Sequence, residues 1–146
     1  MRKAHLAIVV AALSFGSAVE ACRVARSPEQ RVADGYRSGA ISAVAIVAVD
    51  RAQYTQPPSG DAHPWVASAS VRKILRGSYG AETITFERGW GSAACEEEYP
   101  LPKAGDRWVE YLWRGADRNQ AVWVTYPFDV AALADPYLSL FSIGTR

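Results

Sequence analysis

Two segments of alternating polarity, separated by one short turn, constrain this chain more than any other feature. Between Trp65 and Leu75, the residues Ala67, Ala69, Val71, Lys73 and Leu75 fall on one side, and Ser68, Ser70 and Arg72 on the other. Between Glu82 and Arg88, Ile84 and Phe86 fall on one side, and Thr83, Thr85 and Glu87 on the other. A period of two marks a strand laid on a core with one face. Arg76-Gly77-Ser78-Tyr79-Gly80 lies between them and reads as a turn, so the two strands are expected to pair antiparallel.

The other segments extend this pattern. Ala40 to Asp50 is almost wholly apolar and rich in Val and Ile, as in a strand buried on both sides or bent into a barrel. Gln53 to Pro64 holds three prolines and a glycine and reads as a loop. Arg107 to Trp113 and Ala121 to Tyr126 read as two further strands, joined by the turn Gly115-Ala116-Asp117-Arg118-Asn119. Ser27-Pro28-Glu29-Gln30 has the residues of a helix start, with Ser at the N-cap and Pro at the first helical position. That helix is predicted to run to about Arg37 and stop at Gly39, with Val32 and Tyr36 sharing a face. Asp129 to Leu140 is helix-like, but Pro136 interrupts it. Five strands at short intervals in a mainly β chain suggest a barrel or sandwich. A five-stranded, partly open barrel is the OB-fold, here with an N-terminal helix and a short C-terminal helix.

The first 21 residues read as a secretory signal peptide. Arg2 and Lys3 precede the apolar run Leu6 to Leu13, and Val19-Glu20-Ala21 resembles a cleavage site. The alternative is an uncleaved N-terminal anchor, although the run is shorter than the roughly 20 residues of a comfortable membrane span. Residues 22–146 then form a single domain, expected to be secreted or periplasmic. Removing the leader takes Arg2, Lys3 and Glu20 and leaves basic and acidic residues in balance.

Cys22 and Cys95 are the two cysteines. In an oxidising compartment an even count favours a disulfide, and two cysteines allow one intramolecular pairing. Closing so long a loop contributes on the order of 4 kcal/mol in the chain-entropy view. Two alternatives stay open. Val19-Glu20-Ala21-Cys22 is a poor lipobox that would place a lipid on Cys22. A thiol enzyme would pair Cys95 with His63.

Composition removes several functions. The chain is 49% apolar and 21% charged, which is globular. Its formal charge of +1 argues against a dedicated nucleic-acid binder. It has no Walker-type loop and no G-x-G-x-x-G, so the common nucleotide sites lose support. Glu96-Glu97-Glu98 could donate to calcium, but no aspartate-rich loop accompanies them, and they read as a solvated face. Glu87, Asp106 and Glu110 are acids that could pair in acid–base work, but their spacing singles out none of them. Trp65, Trp108, Trp113 and Trp123 read as core. Trp90, between Gly89 and Gly91, has no packing reason to be in a loop and reads as a candidate exposed binding residue.

In order and spacing, these pieces resemble the bacterial members of the tissue-inhibitor-of-metalloproteinases and netrin-like family. The matching pieces are Cys22 with a short helix carrying Ala33-Asp34, the apolar strand Ala43 to Val49, and Val71-Arg72-Lys73-Ile74-Leu75-Arg76-Gly77. Glu82-Thr83-Ile84-Thr85-Phe86, the glycine-rich approach to Cys95, and Ala104-Gly105-Asp106-Arg107-Trp108-Val109-Glu110-Tyr111 complete them. The family commonly starts Cys-x-Cys and has a later fourth cysteine. Here Val24 stands at the second position and nothing follows Cys95, as in loss of one bridge.

The resemblance implies an OB-fold barrel and the bridge Cys22–Cys95. In the animal inhibitors, the amino group and carbonyl of the N-terminal cysteine chelate a protease's zinc. The same geometry would put Arg23 into the adjacent specificity pocket, where a guanidinium is costly to desolvate. The reading that follows is a non-catalytic binding domain with a protein partner outside the cytosol. A zinc-metalloprotease inhibitor acting through Cys22 and a lipid-anchored envelope scaffold are the alternatives. The expected contacts are Cys22, Arg23 and Trp90. No catalytic residue, metal, cofactor, nucleic acid or membrane span is expected.

Overall fold

The computed structural model describes residues 26–57, 63–89, 99–114 and 120–138. Helix α1 spans Pro28–Arg37, and five strands follow: β1 Ala43–Tyr54, β2 Trp65–Arg76, β3 Thr83–Arg88, β4 Arg107–Arg114 and β5 Gln120–Pro127, before helix α2, Phe128–Ala134. The strands form one open antiparallel sheet in the order β3-β2-β1-β4-β5. This is the mainly β fold with two flanking helices that the sequence predicts. Among the described residues no helix is long and apolar enough to cross a membrane.

Local chemistry sets the helix ends. The Gln30 backbone N–H donates to Ser27 Oγ at 3.4 Å, and the Ser27 N–H donates to Gln30 Oε1 at 3.2 Å, closing a capping box over Pro28. At the other end, Pro136 excludes the helical conformation from Asp135, which is extended at φ −116° and ψ 106°. Helix α2 therefore ends at Ala134 and helix resumes at Pro136, the interruption that the sequence predicts.

The sheet carries a core on each face. Ala43, Ala45, Val47, Val49, Trp65, Ala67, Ala69, Ile84, Phe86, Trp108 and Leu112 form the first. Trp65, Phe86 and Trp108 pack edge-on or tilted, with ring centroids 5.4–5.9 Å apart. The second core, under the helices, joins Val32 of α1 and Ala131 of α2 to Val44, Val109, Tyr111, Val124 and Tyr126 of the sheet. Strand β1 contributes to both cores, which explains its unbroken apolar run.

Four details depart from the sequence reading, two of them bulges. Ile46 pairs with Lys73 but Val47 pairs with Val71, so Arg72 is an extra residue in β2. The shift turns Lys73 to solvent and puts Ile74, rather than Lys73, against the first core, while Leu75 packs on the second. A second shift, between Val49 and Arg51, makes Asp50 an extra residue in β1. Strand β1 also continues through Gln53 and Tyr54, which pair with Val66 and Trp65, where a loop was expected. Finally, β1 begins at Ala43 rather than Ala40. A Cβ at Gly77 would meet the Ser42 carbonyl oxygen, and its φ of +68° favours glycine there.

The core assignment makes a direct prediction. Phe86→Ala should cost about 3–5 kcal/mol in urea unfolding, through lost burial and a cavity among the rings. Leu133→Ala, on a side chain 85% exposed, should change stability by less than about 0.5 kcal/mol.

Candidate functional site

The residues expected to carry contacts or the bridge, Cys22, Arg23, Trp90 and Cys95, lie outside the described residues, as do Glu96-Glu97-Glu98. His63 is described and exposed, immediately before β2. The three acids stand in three different environments. Glu87 is exposed on β3. Asp106 holds the turn before β4, where its Oδ2 accepts from the Lys103 backbone N–H at 2.8 Å. Glu110 is fully buried in the middle of β4.

Glu110 is inside because strand period puts it there. It shares a face of β4 with Trp108 and Leu112, both in the first core. Its direct cross-strand partner is Thr125, whose Oγ1 donates to Glu110 Oε1 at 2.7 Å. Glu110 Oε2 has no hydrogen-bond partner among the described residues. Burial pushes the carboxyl up to about 8, against the opposing pull of the Thr125 hydrogen bond and the Arg88 charge. The hydroxyl of Tyr79 is raised as well, by burial and by the nearby Glu110. The folded protein therefore holds a neutral carboxylic acid in its interior at mid-range pH.

Arg88, at the end of β3, is 6% exposed. Its guanidinium carbon lies 5.0 Å from the ring centroid of Tyr99 and 5.7 Å from that of Tyr126. Arg88 and Thr125 also line an opening between the two edge strands. This cavity, of about 570 Å³, is bounded by Thr85 to Arg88 of β3, Gln120 to Thr125 of β5, and Val66. Trp123 stands at its lip, 47% exposed, and also borders a smaller cavity beside Arg26, Arg31 and Asp34. Trp113 is 40% exposed, so two of the tryptophans read as core lie at the surface, while Trp65 and Trp108 are buried as expected.

A second polar centre ties the helices to the sheet. The Asp135 carboxylate, fully buried, accepts from Tyr36 Oη at 2.8 Å, from Tyr111 Oη at 3.1 Å and from the Tyr137 backbone N–H at 3.0 Å. Both tyrosine hydroxyls are pushed well above their ordinary range, mainly by burial and further by Asp135. With three donors satisfied, this carboxylate is a structural clamp.

Among the described residues, no three His, Cys, Asp or Glu side chains come together as a metal site would require. The edge-strand cavity, with its polar interior behind Thr125, is the most developed candidate site. Sequence reasoning named Glu87 and Glu110 but missed Thr125 and Arg88. Period two marks Arg88 as inward, on the side of Ile84 and Phe86. Thr125 needs the β4–β5 register, which shifts between Tyr111 and Leu112. Comparison with protein-family models, curated proteins and solved structures finds no match to this chain.

The buried acid predicts a pH dependence. Glu110 stays protonated when folded but ionises near 4.5 when unfolded, so the native state binds more protons between those values. Stability should be greatest below that window and fall as pH rises toward 8, by at most about 1.4 kcal/mol per pH unit. Urea midpoints of Glu110→Gln measured from pH 5 to 8 should lose most of this slope. An unchanged slope would place the titration elsewhere.

Proposed function

We propose that this chain is an exported, non-catalytic binding domain of the OB-fold type, closed by a Cys22–Cys95 bridge and acting on a protein partner outside the cytosol. The observation that carries the reading is the strand order β3-β2-β1-β4-β5. A sheet in this order becomes a five-stranded barrel when its edges β3 and β5 are brought together. Both edges already border one cavity, and Trp65, Phe86 and Trp108 fill the face between them. That supports the OB-like fold expected from the resemblance to the netrin-like family.

The physical case for a protein ligand is the surface this fold presents. Trp113 and Trp123 expose large rings on adjacent strands, and tryptophan at a surface favours protein contacts. Inhibition of a zinc protease is the second reading, resting on the amino group and carbonyl of Cys22 as zinc ligands. The lipid-anchored scaffold is the third; it is incompatible with the bridge, because it uses the Cys22 thiol.

The intact mass of the protein exported with its own leader tests the proposal. The expected mass is that of residues 22–146, rising by two hydrogens on reduction. A lipid-bearing mass, or one retaining residues 1–21, would contradict it. A zinc-protease panel then separates the first two readings. Inhibition that disappears when one alanine precedes Cys22 would favour the inhibitor.

A further inference from the structure

We propose that the cleft between α1 and β5 receives the C-terminal residue of the partner protein, its carboxylate on Arg26 and Arg31 and an apolar side chain on the Trp123 ring. The inference rests on the protein-binding reading above and names its site and the chemistry of its ligand.

The cleft is built around a bulge. Tyr111 pairs with Val124 but Leu112 pairs with Val122, so Trp123 is an extra residue in β5 without a cross-strand partner. A bulge re-aims the side chain it carries, and bulges are common beside functional sites. Here the indole comes against α1. A Cβ at Gly35 would lie 3.2 Å from Trp123 Nε1 and would collide with the Ile41 side chain, so glycine is what lets the helix approach the ring. The ring is still 47% exposed.

Charge and size indicate the ligand. The cleft encloses about 260 Å³ and is lined by Arg26, Arg31, Asp34, Trp123 and Val124. That is below the roughly 300–1,000 Å³ of pockets for drug-sized ligands, and it suits a single residue. Two guanidiniums stand against one carboxylate, so the lining is net positive. Asp34 is met twice, by Arg26 Nη1 at 3.0 Å and by Arg37 Nη1 at 2.8 Å. Arg37 therefore keeps Asp34 paired when Arg26 turns to a ligand. Opening the Arg26 pair costs little, because that side chain is 68% exposed. Arg31 Nε donates to the Arg26 carbonyl at 3.2 Å, which ties the two arginines together. A guanidinium fork matches a carboxylate in shape and charge.

In so small a space the anion and the apolar group belong to one residue. A chain terminus supplies both, since its carboxylate and its side chain leave the same Cα in different directions. An Asp or Glu side chain puts its carboxylate at the end of a short stem and leaves no separate group for the ring. Capture of a terminal carboxylate is an established mode of peptide recognition.

The test follows the Trp123 indole N–H by NMR in the intact protein during titration with three probes. N-acetyl-leucine carries a terminal carboxylate and an apolar side chain. N-acetyl-leucine amide lacks the carboxylate, and N-acetyl-glutamate N-methylamide has its carboxylate only on the side chain. N-acetyl-leucine should shift Trp123 with a Kd on the order of 1 mM. The other two should bind at least about tenfold more weakly. Arg26→Gln and Arg31→Gln should each weaken N-acetyl-leucine about tenfold and reduce the loss of binding with added salt.

The proposal is overturned if N-acetyl-leucine leaves Trp123 unshifted at tens of millimolar, or if the amide binds as well as the acid. Equal or tighter binding of the glutamate probe would overturn the terminal residue as the ligand, and unchanged affinity in both arginine variants would overturn the site. Contacts in the free protein between the Trp123 indole and residues 22–25 would make the occupant this chain's own residues, with the same consequence. A natural partner that binds unchanged after loss of its last residue would sink this inference and leave the protein-binding reading standing.

Discussion

Strand β1 has to satisfy two neighbours and two cores at once, and the rest of the structure depends on its doing so. It pairs with β2 along nearly its whole length and with β4 from Ala43 to Ala48. Its inner positions are Ala43, Ala45, Val47 and Val49, while Val44 faces the helices. No charged residue fits the doubly covered stretch from Ala43 to Val49 without a partner, because burial of an unpaired charge costs far more than one hydrogen bond returns. The ladder to β4 keeps a single register over six pairs, whereas the ladder to β2 shifts three times. Each bulge adds local twist. Of the two ladders that β1 makes, the irregular one is on the β2 side.

Two buried carboxyls show how differently this fold treats the same chemical group. Asp135 receives three donors and holds α1, β4 and the segment after α2 at one point. Glu110 receives one, from Thr125, in a setting dominated by apolar neighbours. Glu110 links β4 to the edge strand that borders the candidate site.

Much of the fold was legible in the sequence. The alternation in 83–87 places Ile84 and Phe86 inward and Thr83, Thr85 and Glu87 outward, as the structure does. The Ser27-Pro28 start of α1 and the break at Pro136 follow from backbone chemistry alone. The bulge at Arg72 was not legible, because register is set by the pairing of two strands and not by the pattern of one. The same limit hid the Thr125–Glu110 contact. The exposure of Trp113 and Trp123 was missed because an aromatic in a strand serves a core and a surface equally well. The candidate site was least legible, since it is made by two edges far apart in the chain.

Native-state hydrogen exchange tests the central role of β1 most directly. If β1 is the strand on which both cores and both halves of the sheet depend, the amides from Val44 to Val49 open only when the whole protein unfolds. Their opening free energy should then match the global unfolding free energy and exceed that of any amide in β3 or β5. Exchange in β1 as fast as in those edge strands would contradict the account and move the organising element elsewhere in the sheet.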